Sequence, residues 1–441
     1  MRSVTYSHRT GTESGSDQKL GLPFDREVRP GLVLYTKAWF DSICQFSQIA
    51  EMRLLLAHNK YQQAGGEDSV FAAEAALLNA YGHQVARYDV NNDRATLMNP
   101  IVLAASTIWN RASYRELRSI IRRERIQVVH FHNTLPLISP AGYFAAKAEG
   151  VPVVQTLHNY RLICPNALCF RDGHVCEDCV GKTPPWPGVV HACYRGSRAA
   201  TGVVAAMLTA HRALRTWANM VDVYIALTEF QRRKLIEGGL PQEKVVVKPN
   251  SVNIDPGVGE GKEDYHLFVG RLSAEKGVST LVSAWERLGG QVPLKIAGDG
   301  PLAGTVADAA SRISGVEWLE QQPANRVSEL MKGAQTLIFP SELFEGFPLV
   351  VAEAYAVGLP VIASNLGSMS TLIDHGRTGL HFRPGDPEDL MAQVKWASQH
   401  PTELTSMRRE ARAEFEAKYT AARNYRSLME IYKLAEAKAR T

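Results

Sequence analysis

The sequence lacks a long apolar run, is poor in cysteine and has no strong charge imbalance, and each feature excludes a class of protein. Its nearest approach to a membrane span, residues 201–210, is far shorter than the roughly 18 apolar residues that a spanning helix needs. Six cysteines in 441 residues are too few for a disulfide framework, so a reducing cytoplasm is the expected setting. A net charge of +4 is too small to indicate nucleic-acid binding, and the N-terminus shows no secretory signal pattern.

The N-terminal stretch differs from the rest of the chain. Residues 1–29 are rich in serine, threonine, glycine and charge, which is typical of disorder. Met52 comes directly before a predicted strand at residues 54–58. We therefore expect residues 1–51 to be disordered or a mis-assigned extension, with Met52 as the natural start. Detection of peptides from residues 1–51 by mass spectrometry of the native protein would contradict the mis-assigned extension.

After Met52 the sequence alternates between short apolar strands and amphipathic helices. This rhythm predicts an α/β fold built on doubly wound parallel sheets, and the length of the chain predicts two domains. A stretch rich in glycine and charge, residues 251–264, reads as the linker between them. We expect a first domain at residues 52–250, a second at 265–419, and a final helix at about 420–441 that returns to the first domain.

The most informative stretch is residues 339–364, which is apolar but carries two carboxylates. Glu345 lies in a loop after a predicted strand, and Glu353 is the only charge on the apolar helix that starts near Pro348. An ionised carboxylate is rarely buried alone, so Glu353 either pairs with an arginine or lysine or accepts hydrogen bonds from ligand hydroxyls. The helix N-terminus attracts phosphate. Two carboxylates beside a positive helix end suit a sugar nucleotide.

Further polar residues follow the ends of other predicted strands. Arg271 and Lys276 lie in the first strand–helix loop of the second domain, where a diphosphate would bind unless they are surface decoration. His132 and His158 each follow a strand of the first domain, which indicates a polar cleft. The Gly65-Gly66 pair either lets a ligand approach the next helix or forms a simple turn with Asp68 as N-cap.

A glycine pattern in the second domain favours a rival class. Residues 298–304 read G-x-G-x-x-x-G after a strand, and Glu320 ends the following strand. This is similar to the fingerprint of NAD-dependent oxidoreductases. However, the pattern lies in the second unit of its domain and Pro301 stiffens the turn, so we expect a close turn beneath a nucleotide instead.

Five cysteines fall within residues 164–193, and two of them have the C-x-x-C spacing of a zinc knuckle. The interpretation open to test is a structural zinc site; the alternative is reduced thiols in an ordered loop. A redox pair is disfavoured because no thioredoxin-like unit surrounds it. The expected zinc ligands are Cys164, Cys176, Cys179 and Cys193.

Two basic stretches of the first domain are open to more than one interpretation. Residues 111–125 carry six arginines on a predicted helix, which is either a solvated face or a contact with anionic lipid. Residues 195–215 place arginines around an apolar stretch, so this helix either rests on a membrane surface or packs in the ordinary way.

The set Gly65-Gly66, His158, Arg271 with Lys276, and Glu345-GFPLVVA-Glu353 resembles the retaining glycosyltransferases of family 4, from about residue 52 to the C-terminus. The resemblance implies the GT-B fold, two Rossmann-like doubly wound domains facing a cleft. It implies that Arg271 and Lys276 bind the donor diphosphate, and that Glu345 and the main chain at Gly346 and Phe347 hold the sugar.

By the same resemblance, Glu353 binds ribose hydroxyls, His158 reaches the sugar from the first domain, and the Gly65-Gly66 loop faces the phosphates and acceptor. Pro348 stands where many members have glycine, which is compatible with a helix start. The implied catalytic residues are Glu345, His158, Arg271 and Lys276. The implied donor-binding residues are Gly65, Gly66, Arg271, Lys276, Gly346, Phe347, Leu349 and Glu353.

The implied reaction moves a sugar from a UDP- or GDP-sugar to a glycan or lipid-linked acceptor with retention of configuration. No cofactor or catalytic metal is expected, because the two cations replace Mg²⁺. Bacterial cell-surface polysaccharide synthesis, in the cytoplasm or on the inner face of the cell membrane, is the implied setting. The alternatives are a GT-B sugar-nucleotide epimerase, an NAD-dependent oxidoreductase and a non-catalytic donor-binding protein.

Overall fold

The structure is a computed structural model that describes residues 50–61 and 65–440. The predictions of disorder or mis-assignment for residues 1–49 lie outside the described residues. Within the described ranges, no helix combines the length and the apolar character that crossing a bilayer requires.

The first domain is built on a parallel sheet of six strands in the order β2-β1-β3-β4-β7-β8. Its four central strands are buried, as expected for a parallel sheet covered on both faces, whereas the edge strand Gln84–Asn91 is largely exposed. The strands are β1 (Arg53–Lys60), β2 (Gln84–Asn91), β3 (Val128–Phe131), β4 (Val153–Leu157), β7 (Val223–Ala226) and β8 (Val245–Val247), with a small hairpin of β5 (Phe170–Arg171) and β6 (His174–Val175) outside the sheet.

Nine helices of the described residues belong to this domain. They are α1 (Gly66–Ala80), α2 (Asp93–Leu97), α3 (Pro100–Ile108), α4 (Arg111–Arg123), α5 (Ala141–Ala148), α6 (Trp186–Val190), α7 (Arg198–Ala213), α8 (Thr216–Asn219) and α9 (Glu229–Glu237). The sequence analysis did not anticipate α2 or α3.

The apolar stretch of α7 packs inward. Val204 and Met207 are each 1% exposed, so this face belongs to the core of the first domain. Arg212 donates to the Gly238 carbonyl at 2.6 Å and to the Thr183 hydroxyl at 2.8 Å. The membrane-facing interpretation of residues 195–215 is therefore wrong, because the apolar side chains that would enter a membrane are already buried.

The second domain repeats the architecture, with a parallel sheet in the order β11-β10-β9-β12-β13-β14. Its strands are β9 (His266–Val269), β10 (Leu294–Ala297), β11 (Val316–Trp318), β12 (Leu337–Phe339), β13 (Val361–Ser364) and β14 (Gly379–Phe382). Its helices are α10 (Val278–Leu288), α11 (Ala303–Arg312), α12 (Ala324–Gly333), α13 (Leu349–Ala356), α14 (Met369–Leu372), α15 (Pro387–Gln399) and α16 (Pro401–Lys418). Two such sheets confirm the predicted α/β, two-domain, Rossmann-like fold.

The C-terminal segment consists of two helices, of which the second begins close to the start expected for the final helix, at about residue 420. The helical conformation is interrupted at Tyr419 and Thr420, where the Val252 amide donates to the Tyr419 carbonyl at 2.9 Å. The Thr420 hydroxyl then caps α17 (Ala421–Ala439). This last helix lies against the first domain, with the Tyr432 hydroxyl 3.0 Å from His130 Nδ1. A new helix begins here because the Thr420 hydroxyl accepts a hydrogen bond from the amide of Arg423 in its first turn.

Candidate functional site

A cavity of about 360 Å³ lies between the carboxyl ends of the two sheets. This is the edge at which open parallel sheets bind ligands. Gly66, Glu67 and His158 line it from the first domain. The second domain supplies Arg271, Lys276, Glu345, Gly346, Phe347, Leu349 and Glu353. The structure thus brings together all but one of the residues expected at the site.

The residue outside this cavity lining is Gly65. Its main chain forms the N-cap of α1, and its amide donates to Asp68 Oδ2 at 2.9 Å. Asp68 is therefore the third residue of the helix and not its N-cap. Gly66 faces the second domain, because a Cβ placed there would lie 3.8 Å from Leu349 Cδ1.

Glu345 and Lys276 contact each other directly. Lys276 Nζ lies 2.6 Å from Glu345 Oε1, and the Ser341 hydroxyl donates to the same oxygen at 2.7 Å. Lys276 ends a short turn before α10, so two different strand–helix loops meet at this pair. Such a charge-assisted bond fixes the ammonium group at the cavity wall. Lys276 would therefore present a positioned positive charge to an anion that enters the cavity.

Glu353 differs from its expected environment. It occupies the exposed side of α13, open to the cavity, while its neighbours Val351, Ala352 and Ala354 are buried. Although the side chain is exposed to the cavity, the protein around it partly excludes water from the carboxyl group, and this desolvation raises its pKa. Among the described residues, no arginine or lysine forms an ion pair with it. The carboxylate is therefore free to accept hydrogen bonds from a ligand.

Arg271 lies where two cavities meet. Its exposed side chain lines the first cavity and also an adjoining one of about 770 Å³. The floor of the second cavity is the turn at Gly298–Pro301. A Cβ on Gly298 would lie 1.9 Å from the Gly270 carbonyl oxygen, so this glycine allows two loops to touch.

Gly346 marks the closest approach of the two domains beside the cavity. A Cβ at this position would lie 2.9 Å from the His158 carbonyl oxygen and 3.3 Å from Gln231 Nε2. The Glu345 carbonyl accepts a hydrogen bond from Ser368 at 2.7 Å, and the Ser368 hydroxyl lies 2.8 Å from that of Thr228 in the first domain. A side chain larger than that of glycine at position 346 would collide with His158 and Gln231 of the first domain and push the two domains apart.

His158 is held by a second histidine. Its Nε2 lies 3.0 Å from His132 Nδ1, and His132 Nε2 lies 3.4 Å from Glu74 Oε2. Burial lowers the pKa of both imidazoles, so they are neutral near pH 7. One neutral imidazole of the pair donates its N–H to the other, whereas His132 Nε2 and Glu74 Oε2 do not form a hydrogen bond with each other.

Glu74 is in turn paired with a buried lysine. Lys248 Nζ lies 2.7 Å from Glu74 Oε1 and 2.7 Å from the Asn424 side-chain oxygen of α17. Glu74, His130 and His132 form the one group of three metal-ligand side chains within 4.8 Å among the described residues. Lys248 already neutralises the carboxylate, and both His130 nitrogens contact hydroxyl groups. The group is a buried hydrogen-bond network and not a metal site.

Several of these residues were not found from the sequence. Glu67 lies beside Gly66, and its carboxylate accepts from Asn159 Nδ2 at 2.8 Å. Burial raises the pKa of Glu67 to about 7. Its position directly after the glycine pair was the available signal. Glu74 could have been suspected as a carboxylate on the buried face of α1, whereas nothing local points to Lys248.

The four expected zinc ligands lie near one another in the loop, but their sulfur atoms are farther apart than those of a formed zinc site. Among residues 50–61 and 65–440, no three cysteines bring their sulfur atoms within 4.8 Å of one another. Cys164 pairs with Cys169, and Cys179 Sγ accepts the Gly188 amide at 3.2 Å. The spacing predicted a zinc knuckle, but two of the four thiols are instead engaged by other groups of the same loop.

Two family models match adjacent parts of the chain. The model described as Glycosyltransferase Family 4 matches residues 64–256, and the model described as Glycosyl transferases group 1 matches residues 253–414. Their junction falls in the stretch predicted to link the two domains.

Curated relatives match shorter stretches. A D-rhamnosyltransferase, WbpZ, of Pseudomonas aeruginosa is 32% identical over 161 residues, which cover 36% of this chain and 42% of the relative. An alpha-maltose-1-phosphate synthase of Mycolicibacterium smegmatis is 26% identical over 296 residues, which cover 63% of this chain and 70% of the relative. The chain spans about half the length of several curated relatives that it matches.

The fold is shared with solved structures. The crystal structure of Anabaena HepE in complex with UDP superposes with a TM-score of 0.61 at 17% identity, over 86% of this chain and 99% of the other. With the two sheets, the cleft and the matches to both family models, the chain belongs to the family 4, group 1 glycosyltransferases of the GT-B fold.

Proposed function

We propose that the protein is a retaining glycosyltransferase that moves a sugar from a UDP- or GDP-sugar to a glycan or lipid-linked acceptor. The observation that carries this proposal is the convergence of two cations and two carboxylates on one cavity. Lys276 and Arg271 provide positive charge, while Glu345 and Glu353 provide acceptors for hydroxyl groups. A sugar nucleotide presents the complementary diphosphate and hydroxyls.

The two adjoining cavities suit the parts of such a donor. The diphosphate would lie between Arg271, Lys276 and the N-terminus of α13, whose main-chain amides favour anions. Glu353 would accept the ribose hydroxyls, and the nucleobase would occupy the cavity above Gly298–Pro301. The sugar would then lie between Glu345 and His158, at the contact of the two domains.

The proposed chemistry follows from where charge develops. The bond between the anomeric carbon and the diphosphate breaks, and its electron pair goes to the diphosphate. The acceptor oxygen forms the new bond on the same face and loses its proton. Arg271, Lys276 and the helix dipole stabilise the leaving charge. None of the described residues in the cavity is assigned as a covalent nucleophile, and closure of the two domains would exclude water.

The cell-surface polysaccharide setting is also a proposal. The family resemblance supports it. The NAD-dependent alternative loses its main support, because Gly298 packs against the main chain at Gly270. Its glycine pattern thus has a structural explanation that needs no dinucleotide.

The experiment that tests the proposed function is a donor screen. The full chain is incubated with UDP- and GDP-sugars, and products are followed by mass spectrometry and proton NMR. We expect one donor to release nucleoside diphosphate and a sugar that first appears with the donor's anomeric configuration. A changed sugar still attached to its nucleotide would favour the epimerase. Sugar that first appears inverted would contradict retention.

Catalysis is expected to proceed without a divalent metal. Donor turnover in the presence of EDTA should equal that in its absence, because Lys276 and Arg271 supply the charge that Mg²⁺ supplies elsewhere. A circular dichroism melt in EDTA checks that the fold persists. Loss of turnover with an intact melt would show that the reaction depends on a metal.

Glu353→Gln is expected to weaken donor binding about 10- to 100-fold, since a hydrogen bond to a charged group contributes about 1.5–3 kcal/mol. Isothermal titration with the donor's nucleoside diphosphate measures this directly. Glu403→Gln, at an exposed carboxylate in the first turn of α16, is the matched control and should bind normally. An unchanged affinity of Glu353→Gln for the nucleoside diphosphate would show that Glu353 does not bind the ribose.

A further inference from the structure

The α2–α3 segment carries an apolar face that the fold does not bury. Leu97 is 88% exposed, Ile101 79%, Val102 53% and Trp109 40%. The opposite side of α3 packs inward through Leu103 and Thr107. A helix with apolar residues on both sides needs a second partner for its outer face.

Positive charge follows this apolar face along the chain. Residues 93–125 contain seven arginines but only three acidic residues. Arg111 and Arg115 are exposed on α4, next to Trp109, whose ring lies 5.8 Å from that of Tyr114. Two other arginines of α4 are partly neutralised by Glu149. The apolar face and the exposed arginines thus form one continuous patch of sequence.

Both ends of the apolar segment are fixed at the carboxyl edge of the first sheet. Asn92, just before α2, donates its amide to the Lys60 carbonyl at 3.1 Å. Asn110, just after α3, donates its side-chain amide to the Leu137 carbonyl at 2.5 Å. This edge faces the cleft, so the patch lies on the side of the domain from which an acceptor would approach.

We propose that the outer face of residues 97–109, with Arg111 and Arg115, docks onto the surface of an anionic lipid bilayer. The exposed leucine, isoleucine and valine would enter the boundary between headgroups and acyl chains, as interfacial helices do. Tryptophan favours this depth because its ring is apolar and its N–H stays wet. The arginines attract anionic headgroups electrostatically when they lie near the surface.

Charge favours a bilayer over the other occupants of such a face. A second copy of this chain would bring the same arginines together, which is repulsive. Anionic headgroups instead complement them along the whole patch. The docking would also bring the cleft to the surface where a lipid-linked acceptor resides. This proposal replaces the membrane-surface interpretation of residues 195–215. Within it, α4 contributes only positive charge.

The test is sedimentation of the full chain with lipid vesicles. Vesicles of phosphatidylcholine alone are compared with vesicles containing about a third phosphatidylglycerol, at low and high salt. We expect binding only with phosphatidylglycerol, and weaker binding at high salt. The variant Leu97→Ser/Ile101→Ser/Val102→Ser should bind at least about tenfold more weakly. Arg111→Ala/Arg115→Ala should lose most of the dependence on phosphatidylglycerol.

A matched control removes two exposed apolar side chains elsewhere. Ile254→Ser/Val258→Ser changes residues that are 56% and 61% exposed in the predicted linker, and it should bind vesicles normally. Circular dichroism melts confirm that all variants fold. Vesicle binding needs neither donor nor acceptor, so its outcome is separate from that of the donor screen.

Three outcomes would overturn the proposal. The first is no vesicle binding by the unaltered chain. The second is equal binding by the unaltered chain and the triple serine variant. The third is a dimer, seen by light scattering, that the serine substitutions convert to a monomer without affecting vesicles. That last result would assign the face to a second copy of the chain.

Discussion

Lys276→Ala is expected to lower donor turnover by about 30- to 1,000-fold. The ammonium group lies 2.6 Å from Glu345 at the wall of the cavity, where charge develops on the leaving diphosphate. Loss of one preorganised stabilising group of this kind costs about 2–4 kcal/mol of transition-state stabilisation. The effect should fall mainly on kcat, because the charge on the diphosphate grows as the bond breaks.

Lys332→Ala provides the matched control. Its side chain is 29% exposed and lies 3.1 Å from Glu329, compared with 27% exposure for Lys276, but it is on α12 and does not line the cavity. Turnover by this control should be normal. Rates for Lys276→Ala within about twofold of the unaltered chain would remove Lys276 from the chemistry.

Lys248→Met is expected to lower the free energy of unfolding by about 3–5 kcal/mol. The side chains of Lys248 and Glu74 are each 1% exposed and 2.7 Å apart, so the substitution leaves a buried carboxylate without its cation. It also breaks the contact with Asn424, which connects α17 to the first domain. Denaturant unfolding followed by circular dichroism measures the loss.

Removing the carboxylate as well should restore much of this stability. Glu74→Gln combined with Lys248→Met no longer buries an unpaired charge, so it should unfold at higher denaturant than Lys248→Met alone. Lys332→Met, at an exposed pair, should cost less than about 1 kcal/mol. A Lys248→Met protein as stable as the unaltered chain would show that the pair contributes no net stability.

The second domain was easier to predict because its signals are local. Most strands there are short apolar runs that the sequence pattern marks directly. Arg271, Lys276 and Glu345 lie in loops that follow strands, and Glu353 lies on the helix after one of these loops, so strand order brings all four to one edge. Periodicity and turn chemistry were sufficient for this part of the site.

The polar network of the first domain was not predicted from the sequence because its members lie far apart along the chain. Glu74 pairs with Lys248, which lies 174 residues further on, and Lys248 in turn contacts Asn424 of the C-terminal helix. No local pattern records such a contact. The apolar outer face of α3 was missed for a different reason: an apolar stretch predicts burial, and here one side of it stays exposed.

The cysteine loop leaves the zinc site a prediction. A C-x-x-C pair predicts zinc only if further thiols converge on it. Cys164, Cys176, Cys179 and Cys193 lie close enough in this loop to influence one another's pKa, while Cys164 also hydrogen-bonds with Cys169.

The most direct test of the donor site is an isothermal titration of the full chain with UDP and with GDP in the presence of EDTA. We predict that one nucleotide binds at a single site without metal, and that Lys276→Ala weakens this binding while Lys332→Ala does not. Binding that requires a divalent ion, or binding of neither nucleotide, would contradict the assignment of the cleft to a nucleotide-sugar donor.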